Sequence, residues 1–270
     1  MALHHILVLA LIQGLTEFLP ISSSGHLVVT GKVLGWSDQG LAIDVAVHLG
    51  SLLAVLLYFW RDIWQLLAGV GRLATGRGGE PARLVVNLVV ASLPVLIVGY
   101  FAKPYVESVF RNVEVIAWAT IGFGLLLWIA DWIGMTIRRI EHIGIASALA
   151  IGLMQIFALI PGASRSGVTM TAGRVMGMER SEAARFSMLL SIPTILAAGG
   201  LAGWDVYRAG DLRLGLDMAI AAGLSFVSAF VAISAMMAWF RRSGFGPFVI
   251  YRLVLGGALL WWVYSGAVPI

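Results

Sequence analysis

Apolar residues run along this chain in stretches of close to 20, separated by short segments that hold most of its charge. An α-helix rising 1.5 Å per residue needs about 20 residues to cross the ~30 Å hydrocarbon layer of a bilayer. Six stretches are continuous enough to predict spans, at about 41–60, 84–102, 113–133, 183–203, 217–240 and 248–266. Two more, about 5–34 and 144–178, are apolar but interrupted near the middle. Pro20-Ile21-Ser22-Ser23-Ser24-Gly25 breaks the first and Pro161-Gly162-Ala163-Ser164-Arg165-Ser166-Gly167 the second. Each flank is short for a span, and non-helical backbone at membrane depth survives only where protein or a cavity satisfies it. The pattern predicts two re-entrant helix–loop–helix hairpins in an all-α polytopic membrane protein.

The order of these stretches repeats. A broken hairpin followed by three spans occurs twice, dividing a single integral membrane domain of residues 1–270 into halves of about 1–140 and 141–270. Gln13, Ser24 and Gly25 fall 142 residues before Gln155, Ser166 and Gly167. A re-entrant hairpin returns to its own side and three spans are an odd number, so the second half starts from the opposite face. That predicts an inverted-topology repeat, an arrangement whose broken helices put a site near the midplane.

Composition agrees with the periodicity. Only 12% of the residues are charged and 60% are apolar, against about a quarter charged in a soluble domain. Trp60, Trp118, Trp132, Trp204 and Trp239 sit at ends of apolar runs, where interfacial aromatic belts form. The absence of cysteine excludes a disulfide framework and a Cys-based metal site. The net charge of +4 is spread over short loops, which reads as topology rather than a nucleic-acid surface. His4 and His5 precede the first apolar stretch without a basic leader segment, so that stretch reads as a membrane segment and not a signal peptide. Arg61, Arg72, Arg77, Arg83, Arg138, Arg139, Arg180, Arg241 and Arg242 fall on one predicted face, and Lys32, Lys103, Arg111, Arg208 and Arg213 on the other. The more basic face is expected to be cytoplasmic, with both termini and the mouth of the first hairpin outside. Arg174 and Arg185 flank a loop of that basic face and need no further role.

Within the hairpins, Gln13 and Glu17 are four apart and share a helix face. A carboxylate inside an apolar helix faces a cavity or a partner by default. Ser22, Ser23, Ser24 and His26 follow closely, which favours chemistry over packing. In the second hairpin Arg165 presents a planar fork suited to phosphate, beside Ser164, Ser166 and Thr169 at a helix N-terminus. The blander reading is a simple Arg165–Glu17 ion pair. Asp44 and His48, at i and i+4 on the next span, are as readily packing groups as cavity groups. Asn87, Ser187 and Ser191 read as interhelical hydrogen-bonding groups.

The segments Gln13-Gly14-Leu15-Thr16-Glu17-Phe18-Leu19-Pro20-Ile21-Ser22-Ser23-Ser24-Gly25-His26 and Pro161-Gly162-Ala163-Ser164-Arg165-Ser166-Gly167-Val168-Thr169 resemble the two signatures of the bacterial undecaprenyl-diphosphatase, or bacitracin-resistance, family. Length, motif order and span layout resemble it over the whole chain. The family's first signature opens on Glu or Gln; Gln13 here removes a second carboxylate. The resemblance implies an inner-membrane hydrolase that releases phosphate from undecaprenyl diphosphate, recycling the lipid carrier of cell-wall synthesis and conferring bacitracin resistance. It implies an outward-opening site and a divalent cation, Mg²⁺ or Ca²⁺. Carried over, Glu17, Ser23, His26 and Arg165 are the expected catalytic residues. Ser22, Ser164, Arg165, Ser166 and Thr169 would bind substrate, and Glu17 with Gln13 the metal. Ser23 as nucleophile with His26 as its base, and direct attack by water with His26 or Glu17 as base, both remain open.

The expected partners are a polyprenyl diphosphate lipid and the membrane, with no nucleic acid; the sequence leaves a homodimer open. A transporter or flippase of undecaprenyl phosphate is the alternative, because inverted repeats with broken helices are a transporter design. Acid-phosphatase-like lipid phosphatases need a His six residues beyond the Arg, where Thr171 stands, and rhomboid-type proteases place Ser and His on separate spans.

Overall fold

A computed structural model describes residues 3–36, 41–110, 112–134, 137–209 and 212–266. Positions 41, 103, 107–108, 198, 200–209 and 212–214 are described as backbone only. Of the less basic face, Arg111 therefore lies outside the described residues, as do the side chains of Lys103, Arg208 and Arg213.

The described residues form α-helices and no strand. These are α1 (Leu3–Thr16), α2 (Ser23–Leu34), α3 (Leu41–Tyr58), α4 (Trp60–Ala74), α5 (Glu80–Ser108), α6 (Val113–Ile133), α7 (Ile145–Gln155), α8 (Arg165–Val175), α9 (Arg180–Ala209), α10 (Leu212–Phe240) and α11 (Gly246–Tyr264). Short 3₁₀ turns occupy Ile140–His142 and Ile156–Leu159. By length and composition Glu80–Ala102, Val113–Ile133, Gly215–Phe240 and Gly246–Tyr264 can each cross a membrane. Both interrupted stretches break where Pro, Gly and Ser are concentrated, giving α1/α2 and α7/α8.

One helix is absent from the sequence reading. The span expected at 41–60 ends at Tyr58, and the chain bends by 89° into α4. α4 exposes Trp60, Trp64, Leu67, Val70 and Leu73 while burying Asp62. Its charges and glycines interrupt the apolar run, so a search for spans passes over its 3.6-residue period. An outward row of Trp and aliphatic residues on a helix turned from its neighbour suits the membrane interface.

α1 packs on α10 and α7 on α5, while α3 packs on α10 and α6 on α11. Between lipid-facing helices apolar burial gives little drive, so close packing and interhelical polar contacts matter more. Ser225 Oγ donates to the Val47 carbonyl (2.6 Å), Asn87 Nδ2 to the Ile143 carbonyl (2.7 Å) and Gln155 Nε2 to the Ala91 carbonyl (3.1 Å). Ser191 instead donates to Met188 within its own helix (2.6 Å).

Charged residues tie together one end of the bundle. Asp131, near the end of α6, pairs with Arg174 Nε (3.1 Å) and Arg180 Nε (2.7 Å) and accepts the Phe245 N–H (3.3 Å). Arg174 is fully buried and also donates to the carbonyls of Gly134 (2.8 Å) and Met178. Arg185 pairs with Asp62 of α4, Glu141 and Glu182. The sequence reads Arg180 as a topology signal and gives Arg174 and Arg185 no further role, whereas all three hold this end of the bundle together through Asp131 or Asp62.

Candidate active site

The two loop tips share one local design. Ser22 caps α2 and Ser164 caps α8, each through a side-chain oxygen that accepts the N–H three residues on, from Gly25 (3.3 Å) and Gly167 (3.1 Å). Both serines have left-handed backbones, φ 74° and 70°, the only positive values among described non-glycine residues. Such conformations cost about 1–3 kcal/mol and persist only where surrounding contacts impose them. Here each tip holds the other. Ser22 Oγ accepts the Gly162 N–H (3.1 Å), and Ser166 Oγ donates to the Leu19 carbonyl (2.9 Å). Gly162 has φ +96°, and a Cβ there would lie 2.4 Å from the Ile116 carbonyl oxygen, so the tip passes α6 too closely for any side chain.

Joining the tips brings their chemistry together. Glu17 follows α1, its N–H still bonded to the Gln13 carbonyl (2.9 Å), and is buried. Its Oε1 accepts Arg165 Nη2 (2.9 Å); its Oε2 accepts Gln13 Nε2 (2.9 Å) and Ser23 Oγ (2.6 Å). His48 Nε2 stands 3.9 Å from the same Oε2, its ring fixed by the Asp44 carbonyl (2.7 Å from Nδ1). Arg165 also donates to the Ser187 carbonyl (3.3 Å), with its guanidinium carbon 5.9 Å from the Phe18 ring centre. These groups open on a cavity of about 350 Å³ walled by Glu17, Ser22, Ser23, His48, Ser164 and Arg165, among others. A second cavity of about 570 Å³ shares Ser24, Asp44, His48 and Ala158 with it and adds Gln13, Lys32 and Trp36.

Other expected site residues lie elsewhere. His26 shares α2 with Ser23 but turns away from it: Nδ1 meets the Ser22 carbonyl (2.6 Å) and Nε2 the Tyr251 hydroxyl (2.6 Å). A carbonyl only accepts, so Nδ1 carries a proton, and in the neutral ring Nε2 accepts from tyrosine. Thr169 is enclosed, bonded to the Arg165 carbonyl (2.9 Å) and the Ser187 hydroxyl (2.7 Å). Ser166 is likewise spent on Leu19 and on Ser164 Oγ (3.1 Å). Three residues at or behind the site had little or no weight in the sequence. His48 was indistinguishable from a packing histidine, whereas Tyr251 and Arg252 were passed over inside an apolar run. A charge in such a run was the available signal for Arg252.

The fold and site define a multi-pass helical membrane protein in which two broken-helix tips hold a carboxylate, a guanidinium and a serine hydroxyl at a shared cavity. The family model for bacitracin resistance protein BacA matches residues 6–258, and the chain belongs to that family. It is 50% identical to undecaprenyl-diphosphatase 1 of Rhodospirillum rubrum, over 98% of this chain and 97% of the relative. It is likewise 50% identical to the undecaprenyl-diphosphatase of Ruegeria pomeroyi and 48% identical to that of Alteromonas mediterranea, in both cases over 98% of this chain and the whole of the relative.

Proposed function

We propose that this protein hydrolyses undecaprenyl diphosphate to undecaprenyl phosphate and inorganic phosphate, which recycles a lipid carrier for cell-wall synthesis and underlies bacitracin resistance. The observation that carries the reading is the meeting of Glu17, Ser23 and Arg165 at one cavity, together with family membership. A serine whose hydroxyl donates to a carboxylate is set to lose its proton as it attacks. In the reaction Ser23 Oγ bonds to the terminal phosphorus while its proton passes to Glu17 and the bond to the bridging oxygen breaks, releasing the lipid monophosphate. Water then cleaves the phosphoserine to give inorganic phosphate. Arg165 moves from Glu17 to the phosphoryl oxygens, aided by Ser164 and the N-terminus of α8, and supplies the charge stabilisation on which phosphoryl transfer chiefly depends. His26, whose two ring nitrogens are engaged by the Ser22 carbonyl and the Tyr251 hydroxyl, has no part in these steps.

The donor set fits a divalent cation. Gln13 Oε1 is buried without a hydrogen-bond partner beside the carboxylate that the same amide's nitrogen holds. Gln13 and Glu17 would hold a Mg²⁺ or Ca²⁺ ion, which when bound neutralises charge on phosphoryl oxygens. No cluster of three His, Cys, Asp or Glu suited to a metal occurs among the described residues.

The 142-residue offset between Ser22 and Ser164 also separates Gln13 from Gln155, both with an unpartnered buried amide oxygen. It supports an inverted repeat of halves 1–140 and 141–270, with six spans and two re-entrant hairpins. The protein then sits in the bacterial inner membrane, its charge-clasped face cytoplasmic and its cavity and termini outside. Phosphate release from detergent-solubilised protein tests the enzymatic reading. Release there supports hydrolysis, since detergent abolishes sidedness. Activity strictly confined to sealed vesicles would support a flippase of undecaprenyl phosphate instead.

A further inference from the structure

Arg252 of α11 is fully buried and has no carboxylate partner among the described residues, a costly arrangement inside a membrane protein unless the fork is otherwise engaged. Its guanidinium is spent on backbone carbonyls. Nη1 donates to Pro20 (3.0 Å), Nη2 to Gly162 (3.0 Å) and Ala163 (3.1 Å), and Nε to Thr120 (3.0 Å), with Ala119 at 3.4 Å from Nη2. Pro20 belongs to the first tip, Gly162 and Ala163 to the second, and Ala119 and Thr120 to α6. One planar group therefore bonds both tips and the helix behind them. Two residues beyond Pro20 lies Ser22 and one beyond Ala163 lies Ser164, the two left-handed caps that open α2 and α8 and so aim Ser23 and Arg165.

The geometry points to Arg252 as a positioning residue for phosphoryl transfer. It fixes the two tips in the one register that places Glu17, Ser23 and Arg165 at the shared cavity. A role of this kind acts on orientation, where a displacement of about 1 Å can cost ~10²-fold in rate. Lysine can donate to some of these carbonyls but lacks the fork, and methionine offers none of the donors. Gly124 of α6 gives a gentler perturbation, because a Cβ there would lie 3.2 Å from Arg252 Cβ and 3.3 Å from its Nε and would press the side chain without removing it.

The inference rests on the hydrolase reading, so purified wild type is first assayed for phosphate release from undecaprenyl diphosphate in detergent; no release there defeats that reading and not this one. With an active wild type, steady-state kinetics and thermal unfolding are measured for Arg252→Met, Arg252→Lys and Gly124→Ala. The expected result is a kcat lowered ~100-fold in Arg252→Met with KM changed less than ~3-fold, and about tenfold recovery of kcat in Arg252→Lys. Gly124→Ala should lose several-fold in kcat at an unfolding temperature close to wild type. Arg252→Met turnover within ~3-fold of wild type, or a loss carried wholly by KM, would overturn the proposal. If Arg252→Met does not fold, the other two variants decide, and wild-type kcat in both would equally overturn it.

Discussion

Glu17 and Arg165, 148 residues apart in the chain, form a 2.9 Å ion pair at the wall of the cavity. The carboxylate holds one arm of the guanidinium fork, so an incoming phosphate competes with Glu17 for that arm. In the proposed mechanism Arg165 is the main anion contact. Arg165→Ala should lower phosphate release from undecaprenyl diphosphate by about 10²–10³-fold, the usual cost of deleting one charge-stabilising donor. Unchanged release in a detergent assay would remove Arg165 from the mechanism.

Glu17→Gln separates binding from chemistry. The variant cannot take the Ser23 proton, so turnover should fall by ~10²-fold or more. Arg165 is meanwhile freed from its competitor, so KM should stay level or fall. A loss appearing as raised KM with kcat preserved would mean that Glu17 serves binding alone.

Covalent chemistry at Ser23 leaves a trace. Rapid quenching with substrate labelled in the terminal phosphate should trap label on Ser23, and Ser23→Ala should lose the label and nearly all turnover. Retention of more than about a tenth of wild-type turnover would favour direct attack by water.

Ser164 is held in a left-handed conformation while its oxygen caps α8. Ser164→Ala loses the cap and keeps the strained backbone, so it should destabilise the protein by about 1–3 kcal/mol. Ser164→Gly relieves the backbone and should be milder. Thermal unfolding in detergent measures both, and equal stability of the two variants would show that strain is not part of this cap.

Asp131 serves two arginines, one of them fully buried. Asp131→Asn leaves Arg174 without its carboxylate and should cost about 3–5 kcal/mol. The same unfolding assay reads the loss, and phosphate release per folded molecule should stay near wild type because this clasp lies apart from the cavity residues.

The sequence by itself determined an all-helical chain with several helices long and apolar enough to cross a membrane, because hydrocarbon thickness demands runs of fixed length and every backbone group must bond internally. It also located both helix breaks, where Pro, Gly and Ser are concentrated, and it named the residues that the loops at those breaks carry. Only the tertiary structure decided how those residues face each other. Ser23 and His26 are three apart, yet one meets Glu17 and the other Tyr251. Spacing fixes a side chain's direction on its own helix and not which distant element packs there. Arg252 shows the same limit: its partners are backbone carbonyls of three separate segments, and a carbonyl is present at every residue, so no sequence pattern marks the ones an arginine will find.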